Sequence, residues 1–108
     1  MIKPSKVVFI NEKLEESFNT LKEDDPIKKS IINAIRHLRE NAFAGISVPK
    51  RLIPKEYIQK YRVNNLWKYN LIKGWRLIYT ITADNEVELI SAILEWFDHK
   101  GYERRFKY

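Results

Sequence analysis

The chain contains no cysteine, so neither a disulfide framework nor a Cys-based zinc or redox site is available to it. Its two histidines, His37 and His99, lie far apart in sequence, and no metal site is expected from them. Three glycines leave no P-loop or dinucleotide fingerprint. Neither a Gly-x-Ser-x-Gly elbow nor a carboxylate pair of recognisable spacing is present. No apolar run approaches the ~20 residues of a membrane span, and Met1-Ile2-Lys3-Pro4-Ser5-Lys6 lacks the apolar segment of a secretory signal. The expectation is a soluble cytoplasmic protein with no cofactor, no metal and no membrane contact.

What is present is apolar material and unevenly placed charge. The 108 residues are 44% hydrophobic, enough for one domain over residues 1–108 to fold without staples. Net charge is +6, from 20 Lys/Arg and 14 Asp/Glu. Residues 1–25 hold four cations against six anions, residues 26–81 twelve against two, and residues 82–108 four against six. The middle therefore carries +10 while each flank carries −2. Such asymmetry gives a small domain a positive face suited to a polyanion, RNA in particular. A merely solvated basic surface is the plain alternative.

Val7-Val8-Phe9-Ile10 reads as a first strand. Asn11 caps a helix with Leu14, Phe18 and Leu21 on one stripe and glutamates in its first turns. Asp25-Pro26 restarts the chain as a second helix. Ile27, Ile31, Ala34, Leu38 and Ala42 mark its buried face, and its end is expected near Phe43 or Gly45. The two should form an antiparallel helical hairpin. Pro54 to Tyr61 suits a short helix. From Leu66 the pattern alternates through Trp67, Tyr69 and Leu71, then Trp75, Leu77, Tyr79 and Ile81. Asp84-Asn85 marks a turn, Val87 to Phe97 a last strand, and Asp98 caps a short C-terminal helix. The expected fold is α+β, with an N-terminal strand and helical hairpin packed on a four-stranded, mainly antiparallel sheet.

Three places could carry chemistry. Arg76 sits in a strand apolar on both faces, where a guanidinium needs a partner or a purpose. It is either a salt-bridged strand arginine or a rigid bidentate cation for phosphate. The run Asp98-His99-Lys100-Gly101-Tyr102-Glu103-Arg104-Arg105-Phe106 brings an imidazole, a phenol and cations to the end of a strand. Val48-Pro49-Lys50-Arg51-Leu52-Ile53-Pro54-Lys55 holds cations between prolines, so they lose less entropy on meeting an anion, unless they simply line a solvated loop. His37, beside Leu38, reads as an ordinary flank position.

The stretch Leu66-Trp67-Lys68-Tyr69-Asn70-Leu71 followed by Gly74-Trp75-Arg76-Leu77-Ile78-Tyr79 resembles the central hairpin of the RelE/ParE toxin superfamily. The ending His99-Lys100-x-Tyr102-Glu103-Arg104-Arg105-Phe106 is similar to the terminal stretch of its ribonuclease branch. The resemblance implies the toxin of a type II toxin–antitoxin system. Such a toxin is a metal-independent endoribonuclease that cuts mRNA on the ribosome by 2′-OH attack and is silenced by a cognate antitoxin. It implies Arg76 as the stabiliser of phosphorane charge, His99 as acid or base, and Tyr102 as a stacking or proton-transfer group. Lys50 and Arg51 fall where catalytic cations are expected, and Lys55, Lys68, Arg104 and Arg105 are implied RNA contacts. Some members carry a glutamate base where this chain has Lys50-Arg51, so the base is either His99 or a lysine with its pKa lowered by cationic neighbours. The alternatives are a ParE-like, non-enzymatic gyrase inhibitor and a catalytically inactive RNA-binding member.

Overall fold

The first two helices begin where short polar side chains satisfy otherwise unpaired N–H groups. In the computed structural model, which describes residues 2–83 and 88–107, α1 spans Glu12–Asn19 and α2 spans Pro26–Glu40. The Asn11 side chain accepts from Leu14 N–H at 2.9 Å, and the Asp25 carboxylate from Ile27 N–H at 2.8 Å. Pro26 occupies the first turn of α2, where a missing N–H costs nothing.

α2 stops at Glu40, short of the Phe43–Gly45 end expected from its apolar stripe. Asn41 is extended (φ −155°, ψ 109°), and its side-chain oxygen accepts from Lys3 N–H and Phe43 N–H. Local side-chain bonding of this kind competes with helix continuation. Ala42 is still fully buried, but as part of the chain leaving the helix.

Two further helices follow, α3 (Lys55–Tyr61) and α4 (His99–Phe106). The expected cap of α4 is present, with Asp98 Oδ1 accepting from Gly101 N–H at 2.8 Å. No described helix is long and apolar enough to cross a membrane.

The described strands are β1 (Ser5–Phe9), β2 (Ile46–Ser47), β3 (Trp67–Asn70), β4 (Arg76–Ala83) and β5 (Leu89–Phe97). They form one sheet in the order β1-β5-β4-β3-β2. The architecture is α+β, but the sheet is five-stranded and mixed, not four-stranded. β2 pairs antiparallel to β3, and β1 runs parallel to β5. A two-residue strand has no alternation to read, and a pairing such as Ser5 with Leu89 leaves no local trace in sequence. The turn expected at Asp84-Asn85 and a strand start at Val87 lie outside the described residues.

Helices cover both faces. Toward α1 and α2, the sheet contributes Leu77, Tyr79 and Ile93 to a cluster with Ile31, Ala34 and Leu38. Toward α3 and α4, Leu66, Ile78 and Leu94 pack with Val48, Ile53 and Tyr57. A bulge lies between β4 and β5. Ile78 pairs with Glu95 and Tyr79 with Ile93, so Leu94 is the extra residue. Leu94 and Glu95 therefore share the α3/α4 side, Leu94 in its core and Glu95 bonded to Tyr57.

Tyr79 is fully buried, yet its hydroxyl donates to Ala42 O at 2.7 Å and accepts from Gly45 N–H at 3.0 Å. It fastens the α2–β2 connection to the sheet. Tyr79→Phe leaves both backbone groups unpaired and is expected to cost about 1–3 kcal/mol. Burial pushes the Tyr79 phenol from 10.0 up to about 12. The folded state thus holds this proton more tightly. The associated stability is complete below pH ~10 and is lost as pH rises toward about 12. Denaturation curves of wild type and Tyr79→Phe should converge across that window.

Candidate functional site

The α3/α4 side of the sheet carries the cations of the central hairpin. Lys68 pairs with Ile78 and Asn70 with Arg76, so Lys68 and Arg76 are diagonal neighbours on one face. Diagonal neighbours of this kind are about 7–8 Å apart, with their Cβ atoms somewhat closer. Strand register specifies this placement, because a one-residue slip of either strand would turn its own side chain to the opposite core.

Tyr102 of α4 lies against both. Its hydroxyl accepts from Lys68 Nζ at 2.9 Å, and the Arg76 guanidinium carbon is 5.3 Å from its ring centroid. Tyr102 is buried, with its ring 4.6 Å from that of Phe106. Lys68 and Tyr102 also close a groove of about 220 Å³ walled by Ile46, Ser47, Val48, Pro49 and Leu52. A phenol, two cations and an apolar wall thus meet at one end of the sheet.

Arg76 Nη1 donates to Gly74 O at 2.7 Å and Trp75 O at 3.3 Å, which aims the guanidinium back over the β3–β4 turn. Among the described residues, its Nε is the one buried side-chain nitrogen or oxygen without a hydrogen-bond partner. Leaving such a donor unpaired costs about 1–3 kcal/mol. An arginine fork has the planar geometry that matches two oxygens of a phosphate.

His99 opens α4 one turn before Tyr102. Its Cβ is 3.8 Å from the point a Cβ on Gly74 would occupy, so it borders the turn that Arg76 grips. The imidazole is 62% exposed, with Nε2 3.1 Å from Glu103 Oε1. It is open to solvent beside Gly74.

The structure therefore sets Tyr102 against both Lys68 and Arg76, with His99 next to Gly74 in the turn that Arg76 grips. Lys50 and Arg51 lie in a single 3₁₀ turn, Lys50–Leu52, and are exposed on the segment that forms the groove wall. Lys55 starts α3 and is exposed. Arg104 is exposed on α4, lining a second groove of about 330 Å³ with Glu95 and Phe97. Arg105 is turned toward Glu95, with Nε to Oε1 at 2.7 Å and Nη2 to Oε2 at 3.3 Å. Pairing with Glu95 raises the Arg105 pKa above its already high value.

Two arrangements have no counterpart in the sequence reading. Glu95 accepts from both Tyr57 and Arg105, joining α3, β5 and α4. His37 Nδ1 shares a hydrogen bond with the Tyr69 hydroxyl across the other face of the sheet. The nearest clue to the first was an acidic residue inside an apolar strand. Among the described residues, no group of three His, Asp or Glu side chains is gathered as metal ligands would be.

Comparison of the chain with family models, with curated proteins and with solved structures finds no match.

Proposed function

We propose that this protein is a RelE-like toxin of a type II toxin–antitoxin system, an endoribonuclease that cuts mRNA on the ribosome in the cytoplasm. The observation that carries the reading is the buried, unpartnered Nε of Arg76 beside Tyr102 and Lys68. On this reading the three residues together receive a phosphodiester.

The reaction is transesterification within the RNA. The ribose 2′-oxygen attacks the adjacent phosphorus, the P–O5′ bond breaks, and a 2′,3′-cyclic phosphate and a 5′-hydroxyl result. A base must take the 2′-OH proton, an acid must give one to O5′, and cations must meet the charge on the phosphorane. Arg76 and Lys68 supply the charge from fixed strands. His99, exposed beside the Gly74 turn, serves as one proton carrier. Tyr102, itself buried, holds Lys68 in place through its hydroxyl. Lys50 and Arg51 extend the positive surface along the groove wall. The partner that silences the site is an antitoxin with an acidic segment laid over these cations.

Mapping cut sites in mRNA with and without ribosomes tests the proposal, using wild type, Arg76→Ala and His99→Ala. Cuts within reading frames that require ribosomes and fade in both variants are the expected result. Inhibition of DNA supercoiling without RNA cleavage would establish the gyrase-inhibitor alternative. Salt-sensitive RNA binding without cleavage would establish an inactive binding member.

A further inference from the structure

We propose that Arg105 is a positioning residue for Tyr102 and not an RNA contact, working through a latch centred on Glu95. The inference rests on reading Lys68, Arg76 and Tyr102 as the reacting site. α4 carries His99 and Tyr102 toward that site, so its rotation and axial position decide where both groups stand. Its N-terminal end is fixed by Asp98. Its later turns are fixed by Arg105.

The bulge in β5 is what makes the latch possible. Regular alternation would not put Leu94 and Glu95 on the same side of the sheet. With Leu94 inserted, Glu95 faces α3 and α4. Its carboxylate then receives the Tyr57 hydroxyl together with Arg105 Nε at 2.7 Å and Nη2 at 3.3 Å. Arg105 Nη1 reaches Glu56 Oε2 at 3.5 Å, and its guanidinium carbon lies 5.8 Å from the Tyr57 ring centroid. A planar fork held bidentately, and held again from α3, fixes orientation as well as distance. Three residues earlier on the same helix, Tyr102 meets Lys68 within hydrogen-bond reach. Phe106 fills the space between Tyr102 and Tyr57, at 4.6 and 6.3 Å between centroids. Movement of Arg105 is therefore passed to Tyr102 through both helix and rings. Burial, and then the Glu95 carboxylate, push the Tyr57 phenol far above its ordinary range, so it remains a donor to the latch.

The test compares Arg105→Gln, Arg105→Lys, Glu95→Gln and the Arg105→Gln/Glu95→Gln double variant. A positioning role predicts that each single variant lowers the single-turnover cleavage rate on the order of 10–100-fold. Affinity for a short 2′-deoxy-substituted oligonucleotide stays within about twofold. The double variant is no slower than the worse single one, because both remove the same contact. Lysine at 105 rescues poorly, since it keeps the charge and loses the fork. An RNA contact predicts the reverse. Arg105→Gln would then lower the salt dependence of binding by about 0.7 per phosphate lost, lysine would restore it, and Glu95→Gln would leave affinity and rate unharmed. That pattern overturns the proposal. A readout independent of cleavage separates it from failure of the functional reading. With ¹³C-labelled tyrosine, the Tyr102 ring resonance, assigned through Tyr102→Phe, should shift in Arg105→Gln and in Glu95→Gln, whether or not the wild type cuts RNA. An unmoved resonance in both variants overturns the latch.

Discussion

Arg76→Ala is expected to slow mRNA cleavage in a translating extract by about 10²–10³-fold, the usual loss when one preorganised charge stabiliser is removed. The size follows from how the residue is mounted. Arg76 starts β4, paired to Asn70 on one side and Phe97 on the other. Its Nη1 is tied to the carbonyls of Gly74 and Trp75, so the fork is aimed before any substrate arrives. Its Nε is buried without a hydrogen-bond partner, a cost that the folded protein bears. On the proposed reaction, charge placed in this way would need no reorganisation as the phosphorane forms, so its removal is expected to fall mainly on the rate. Arg76→Lys should recover only part of the loss, because an ammonium offers a point charge where the site presents a plane. Melting curves check that each variant folds. Wild-type cleavage by a folded Arg76→Ala protein would sink the assignment of this site.

The sequence was most legible where structure is local. The starts of α1, α2 and α4 follow from Asn11, Asp25-Pro26 and Asp98, each of which caps its helix as its residue type suggests. α3 runs from Lys55 to Tyr61, one residue inside the stretch bounded by Pro54. The alternation from Trp67 to Ile81 placed β3 and β4, whereas the second core, on the face that α3 and α4 cover, was not anticipated. What was hidden depends on contacts between distant residues. β2 owes its existence to two pairings with β3, and the parallel direction of β1 to its partner β5. The end of α2 is set by Asn41 bonding to Lys3, 38 positions away in sequence.

The candidate site divides in the same way. Arg76 stood out because a guanidinium in an apolar strand requires a reason, and its local surroundings are sufficient to say so. Lys68 was visible only as one cation of a basic segment. Its hydrogen bond to Tyr102 joins positions 34 apart. Arg105 looked like another surface cation because the bulge that turns Glu95 toward it leaves no mark in the pattern of residue types. Composition gave the charge of the middle segment, and the sheet decides which of those charges converge.

Gly45→Ala is expected to give the largest loss of stability among single-methyl changes on this side of the molecule. A Cβ at position 45 would sit 2.6 Å from Lys68 O and 2.8 Å from the Tyr79 hydroxyl. The first is backbone of β3 and the second belongs to a fully buried ring, so neither can step aside cheaply. Either β2 lifts from β3 or Tyr79 leaves its place. Overpacking of this kind costs about 1–3 kcal/mol. Loss of the Tyr79 bonds to Ala42 O and Gly45 N–H adds about 1–3 kcal/mol. The melting temperature should fall on the order of 10–20 °C. Gly74→Ala is the informative comparison. Gly74 has φ +77°, so alanine is strained there, but the nearest atom to its Cβ is 3.8 Å away. Backbone strain alone costs about 1–2 kcal/mol, and the smaller shift should separate conformational strain from collision. Cleavage should fall in Gly45→Ala even below its melting transition, because β2 leads into the Ile46–Leu52 wall of the groove that Lys68 and Tyr102 close. Melting at the wild-type temperature would mean that β2 is not held against Lys68 and Tyr79 as described.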